Sequence, residues 1–167
     1  ESMVCPDDWT RSNDGKRVAS VLDVKETKFD YTPADSKNGW ASVEPMFDNG
    51  LFSSRHMAAL LVNSSASWLF TPGLDLNDAT AKYHLSFNVA LTAMGLNEPI
   101  SDEDKKDVNN KFVVLVSEDG GKTWLSSNIT EWGSNGDYSL FDIPNTGASY
   151  SVDLTKYAGK SIQIAFC

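Results

Sequence analysis

Residues 111–124 read KFVVLVSEDGGKTW, and how this stretch is divided decides the fold. From Phe112 to Val116 every residue is apolar, so both faces of an extended segment would be covered. That is the pattern of a central β-strand and not of a half-exposed one. The run stops at Ser117-Glu118-Asp119-Gly120-Gly121. Gly120 and Gly121 supply the positive φ angles that a tight turn needs. Asp119 is placed to accept hydrogen bonds from the backbone N–H groups of that turn. Trp124 then folds back to bury a large ring. A second strand is expected from Thr123 to Thr130, returning beside the first.

The spacing Ser-x-Asp-x-Gly-x-Thr-Trp over Ser117 to Trp124 resembles the Asp box of sialidase propeller blades. A sialidase also needs several blades, an arginine cluster for the substrate carboxylate and a nucleophile. This chain has one box and three arginines, Arg11, Arg17 and Arg55. Its 167 residues are too few for a propeller of typically about 4–8 four-stranded blades. The box is read as turn chemistry, with Asp119, Gly120, Gly121 and Trp124 in structural roles.

The same two-residue period extends outward. Tyr83, Leu85, Phe87, Val89 and Leu91 alternate with smaller or polar residues, and 161–166 (SIQIAF) repeats the pattern. Further strands are expected at 17–24, 57–62, 67–70 and 149–152. No window of a dozen residues carries a 3.6-residue repeat. Many short strands without helical crossovers predict an all-β chain, an antiparallel β-sandwich. Two polar stretches, 101–110 (SDEDKKDVNN) and 133–147, read as loops. Asp153 to Gly159 (DLTKYAG) reads as one helical turn that Asp153 caps and Gly159 ends. With no internal repeat or low-complexity linker, one domain over 1–167 is expected.

Composition bounds the function. The chain is 41% hydrophobic and 22% charged, with a formal net charge of −9. Phosphates would be repelled, which argues against nucleic acid and anionic membrane as partners. No apolar run approaches the roughly 18 residues of a membrane-spanning helix. The N-terminus lacks the order of a signal peptide, so any such segment is expected to have been removed already. Cys5 and Cys167 are too few for a cysteine-only zinc site, and His56 and His84 are at no metal-finger spacing. Two readings of the cysteines stand: separate buried thiols, or a disulfide joining the first and last segments. The disulfide would add about 5 kcal/mol on the chain-entropy model and imply an oxidising compartment.

Catalytic patterns are sparse. There is no Gly-x-Ser-x-Gly elbow and no His-Glu-x-x-His. His56 and His84 fall in strands, where a histidine more often packs or faces solvent than acts as a base. No carboxylate pair is singled out for glycoside hydrolysis, because the separation that matters is spatial. The expectation is a domain without enzymatic function. Asn63-Ser64-Ser65 and Asn128-Ile129-Thr130 are glycosylation sequons, relevant in a eukaryotic secretory host.

Taken in order, these segments resemble a known family. Residues 65–76 (SASWLFTPGLDL) are similar to the Asn-Trp-Leu-x-Ser/Thr-Pro-x-x-Asp-Leu signature of cleaved-adhesin and choice-of-anchor J domains. Glu1 and Cys5-Pro6-Asp7-Asp8-Trp9 resemble the family's opening, and Asn38-Gly39-Trp40 its second tryptophan. Residues 82–91 (KYHLSFNVAL) resemble its Leu-Ser-Phe strand, 112–124 its Asp-Gly-Gly hairpin, and 150–166 its Val-Asp-Leu-Ser-x-Tyr-Ala-Gly-Lys ending. The resemblance implies a jelly roll (concanavalin or galactose-binding-like) of the gingipain haemagglutinin-adhesin type. It also implies a further strand, carrying Ile-Asp-Asp/Asn-Val, after Cys167.

These domains act in adhesion, or as accessory modules beside peptidases and glycan-active enzymes of secreted or outer-membrane-associated bacterial proteins. A host or matrix protein or a glycan is the expected partner, with carbohydrate-binding module as the rival reading. Related jelly rolls hold structural calcium, which takes six to eight oxygen ligands. The best supply is Asp102, Glu103, Asp104, Asp107 and Asn109, with Glu1 at the family's early acidic position. Trp9, Trp40, Trp68 and Trp124 fall on family positions and are read as core. Trp132, with Tyr138 nearby, is the candidate exposed ring for a sugar.

Overall fold

Alternating and doubly apolar segments become strands in a computed structural model of the chain, which describes residues 9–12, 40–43, 56–58, 67–93, 98–106, 110–133 and 136–167. The strands are β1 (Thr10–Ser12), β2 (Ala41–Val43), β3 (His56–Ala58), β4 (Trp68–Phe70) and β5 (Leu74–Asp75). They continue with β6 (His84–Val89), β7 (Phe112–Ser117), β8 (Ile129–Trp132), β9 (Ala148–Asp153) and β10 (Ser161–Phe166). No α-helix occurs among the described residues; short 3-10 turns do, at Asp104–Lys106, Ser126–Asn128, Leu140–Asp142 and Thr155–Tyr157. The fold is all-β, and each pairing between these strands is antiparallel. The expected strand at 17–24, the sequon at 63–65, Glu1, Cys5, Asp107 and Asn109 lie outside the described residues.

The largest sheet runs β1-β4-β10-β7-β8, with β5 also on β10. Within it β7, between β10 and β8, is buried along its whole length. Phe112, Val114 and Val116 enter one apolar cluster, while Val113 and Leu115 enter a second on the opposite face. Each such side chain contributes roughly 1.5–3 kcal/mol when fully buried. Both faces of β7 therefore hold it in register. A separate ribbon of β6 and β9 covers the first cluster with Leu85, Phe87, Val89, Tyr150 and Val152. His84, Ser86 and Asn88 point outward, as the period of two requires.

β10 accommodates β4 and β5 along one side because the chain steps between them. Ala165 and Phe166 pair with Phe70 and Leu69, whereas Ser161 and Ile162 pair with Asp75 and Leu74. Across the step, Thr71 donates its N–H to the Ile164 carbonyl at 2.9 Å. Its hydroxyl oxygen accepts the Ile164 N–H at 3.0 Å. Pro72, which has no N–H to offer a ladder, occupies the gap. The 3-10 turn after β9 also forms as expected. The Asp153 carboxylate accepts the Thr155 N–H at 2.8 Å, and Gly159 closes the turn at a φ of 80°.

Two segments differ from the sequence reading. The strand expected over 123–130 begins only at Ile129, preceded by the 3-10 turn Ser126–Asn128. Hydrogen bonding around Asp119 curls the chain inward and sends Trp124 into the second cluster, which removes 123–125 from the ladder. The loop expected over 133–147 contains the turn Leu140–Asp142, anchored by buried Leu140 and Ile143.

Candidate ligand-binding surface

The Asp box is a complete hydrogen-bonded turn. Asp119 Oδ1 accepts the Ser117 hydroxyl at 2.8 Å, the Lys122 N–H at 3.1 Å and the Thr123 N–H at 2.8 Å. Its Oδ2 accepts the Thr123 hydroxyl at 2.7 Å. Burial alone would raise the carboxyl, but these donors outweigh it and hold Asp119 below its ordinary value. Gly120 and Gly121 have φ of 72° and 84°. Trp124 is fully buried, donates Nε1–H to the Gly121 carbonyl at 3.1 Å and packs on Trp68 and Phe70. Every polar atom of the Asp119 carboxylate thus serves the turn.

A polar network joins this turn to two distant segments. Glu118 accepts hydrogen bonds from Lys160 and, at 3.2 Å, from the Asn128 amide. The Asn128 carbonyl accepts from Lys156 Nζ at 3.3 Å. The Lys160 hydrogen bond is the main reason that the Glu118 carboxyl lies below its ordinary value. Nothing in sequence spacing brings these four residues together; the sheet register does. Asn128 belongs to a sequon, and its amide is committed to this network.

The acidic loop does not assemble a calcium shell from its described residues. Asp102 pairs with Lys105 at 2.9 Å and Glu103 with Lys106. Asp104 accepts the Ser101 hydroxyl at 2.6 Å. Each carboxylate is satisfied by a neighbour within three residues, and no group of three metal-ligating side chains converges among the described residues. Three described acids alone would supply only part of the six to eight oxygens that calcium takes. Asp107 and Glu1 lie outside the described residues.

Cys167 carries a free thiol among the described residues, and Cys5, its expected disulfide partner, lies outside them. The Cys167 backbone extends the ladder, exchanging hydrogen bonds with Val113 at 2.7 and 2.8 Å. That pairing directs the side chain against the second cluster. Although the residue is partly exposed, burial around the sulfur pushes the thiol up to about 12.

Trp132 is not the exposed ring that the sequence suggested. It is 1% exposed, because β8 pairs it with Phe112 and turns it into the first cluster. Phe112 lies 5.3 Å away, Tyr150 meets it edge-on at 5.3 Å and Phe87 edge-on at 5.9 Å. Its Nε1 has no hydrogen-bond partner among the described residues. Tyr138, by contrast, is 49% exposed and is the one large hydrophobic side chain so exposed among the described residues. It stacks on Trp132 at 5.1 Å with an interplanar angle of 22°. The pair expected from sequence is real, but its roles are divided. Trp132 is the buried support and Tyr138 the exposed ring.

The backbone fixes that ring. Tyr138 donates its N–H to the Glu131 carbonyl at 3.1 Å and accepts the Gly133 N–H at 2.9 Å. Asp137 Oδ2 accepts the Glu131 N–H at 2.9 Å. Glu131 itself is buried, with Oε1 3.5 Å from Lys111 Nζ. A Cβ on Gly133 would lie 2.7 Å from that Oε1, and one on Gly136 2.5 Å from the Glu131 carbonyl. Gly136 is therefore required by close approach to backbone, while a side chain at Gly133 would need the Glu131 carboxylate to shift. Next to this loop Asp142 is exposed, and the Tyr150 phenol is pushed up first by burial and then by the Asp142 charge.

His84 lies on the outer face of β6, opposite Asp153. Compared with protein-family models, curated proteins and solved structures, the chain matches none.

Proposed function

We propose that the chain is a non-catalytic binding module of a secreted or cell-surface bacterial protein. It serves adhesion to a host or matrix protein or to a glycan, on a β-sandwich of jelly-roll type. The resemblance to cleaved-adhesin and choice-of-anchor J domains supports this reading. So does the commitment of the Asp-box carboxylate to its own turn. The single observation that carries it is Tyr138, an exposed aromatic ring held rigidly on the buried Trp132. Exposed aromatics with a locked backbone bind at low entropic cost, since little freedom remains to be lost. The same ring favours a second reading, a carbohydrate-binding module attached to a glycan-active enzyme or peptidase.

The test is binding of the intact chain to a glycan array and to immobilised matrix proteins, with Tyr138→Ala as control. Trp132→Ala is unsuitable, because it hollows the core at a cost of about 3–5 kcal/mol. Binding abolished by Tyr138→Ala is the expected result. Turnover of any glycan, or binding indifferent to Tyr138, would overturn the proposal.

A further inference from the structure

Resting on that reading, we infer that the Tyr138 surface takes a neutral pyranose sugar, laid flat on the ring with a hydroxyl donated to Asp137. Three observations on independent atoms lead to this class.

The first is shape. Trp132 covers one face of Tyr138, and half of the side chain remains open to solvent. What is presented to solvent is part of a planar aromatic ring backed by a second one. The apolar C–H face of a pyranose matches such a plane.

The second is a placed acceptor. Asp137 uses Oδ2 to accept the Glu131 N–H, which orients the carboxylate. Its Oδ1 has no hydrogen-bond partner among the described residues, and the residue is exposed. An ionised carboxylate accepts only, so its complement is a hydroxyl donor beside the ring.

The third is charge. Asp137 adjoins Tyr138, and Asp142 stands beside Tyr150, which touches the same Trp132. The ammonium of Lys111 faces the buried Glu131 carboxylate. With a net charge of −9, this surface repels sialic, uronic and sulfated sugars. A cationic ligand would be attracted, but a cation over one exposed ring gains only about 2–5-fold in affinity. A neutral sugar combines ring contact with a directed hydrogen bond.

The experiment presents neutral hexose-terminated glycans and their sialylated and sulfated counterparts to the full chain, with a trimethyllysine peptide and matrix proteins in parallel. Tyr138→Ala, Tyr138→Phe and Asp137→Asn are compared after thermal melting shows each folded. Neutral glycans are expected to bind, with at least a ten-fold loss in Tyr138→Ala and near-complete retention in Tyr138→Phe. Asp137→Asn keeps an acceptor for the Glu131 N–H but removes the charge, so discrimination against sialylated glycans should narrow several-fold. A purely structural role for Asp137 would not move that ratio. Equal or better binding of acidic glycans, or of the trimethyllysine peptide alone, overturns the inference. Matrix-protein binding lost in Tyr138→Ala, without any glycan binding, overturns the inference and leaves the binding-module reading standing. Absence of binding to every probe overturns both.

Discussion

Asp119 holds Thr123 twice, through its backbone N–H at 2.8 Å and its hydroxyl at 2.7 Å, one to each carboxylate oxygen. This double grip turns the chain so that the next residue, Trp124, enters the core.

Asp119→Ala removes the acceptor for four donors and is expected to destabilise the fold by about 1–2 kcal/mol. Urea unfolding followed by tryptophan fluorescence measures it. An Asp119→Ala midpoint equal to wild type would show that the turn closes without its carboxylate.

Acid should weaken the fold through the same residue. Asp119, Glu118 and Asp153 all lie below their ordinary values of 3.8, 4.5 and 3.8 in the folded chain. Carboxyls depressed by folding add stability above their unfolded pKa and lose it as pH falls through the folded one. The melting temperature is therefore expected to be flat near neutrality and to decline below about pH 4. Melting scans check it, and the decline should be shallower in Asp119→Asn. An identical slope in that variant would assign the acid sensitivity elsewhere.

Asp102 and Asp104 should not contribute to calcium binding, because Lys105 and Ser101 already satisfy them. A double Asp102→Asn, Asp104→Asn variant is expected to show the same calcium response in thermal melting as wild type, after chelation and readdition at millimolar levels. A response confined to wild type would place both carboxylates in a metal shell.

The Cys167 thiol, pushed up to about 12, should react slowly with a disulfide reagent at pH 8 in the folded chain. Denaturation should release two reactive thiols without reductant. Release only after reduction would show that Cys5 and Cys167 pair in solution.

Local chemistry was the legible part of the chain. β7, the Asp-Gly-Gly turn and the Asp153-to-Gly159 turn each depend on residues adjacent in sequence, so their spacing declares them. Trp68 and Trp124 were also read correctly as core, while Trp9 and Trp40 proved only partly buried, packed against the first cluster. Trp132 was misread because its burial depends on Phe112 across the ladder and on Tyr150 from the β6–β9 ribbon. A neighbouring Gly-Ser-Asn-Gly sequence gives no sign of either. The strand expected over 123–130 failed for a related reason: side-chain alternation continues through Thr123 and Trp124, but their hydrogen bonds face the turn. The Glu118–Asn128–Lys156–Lys160 network joins three segments and has no local signature at all.

The position of β10 carries a consequence for biosynthesis. It follows the other nine described strands in chain order, yet it lies between β4 and β7 in the sheet. On the ribosome, β4 and β7 must wait with open edges until residues 161–166 emerge. Pairings so distant in sequence form slowly, and waiting edges invite association with other chains. The nascent chain therefore stays open to such association until residues 161–166 have been made.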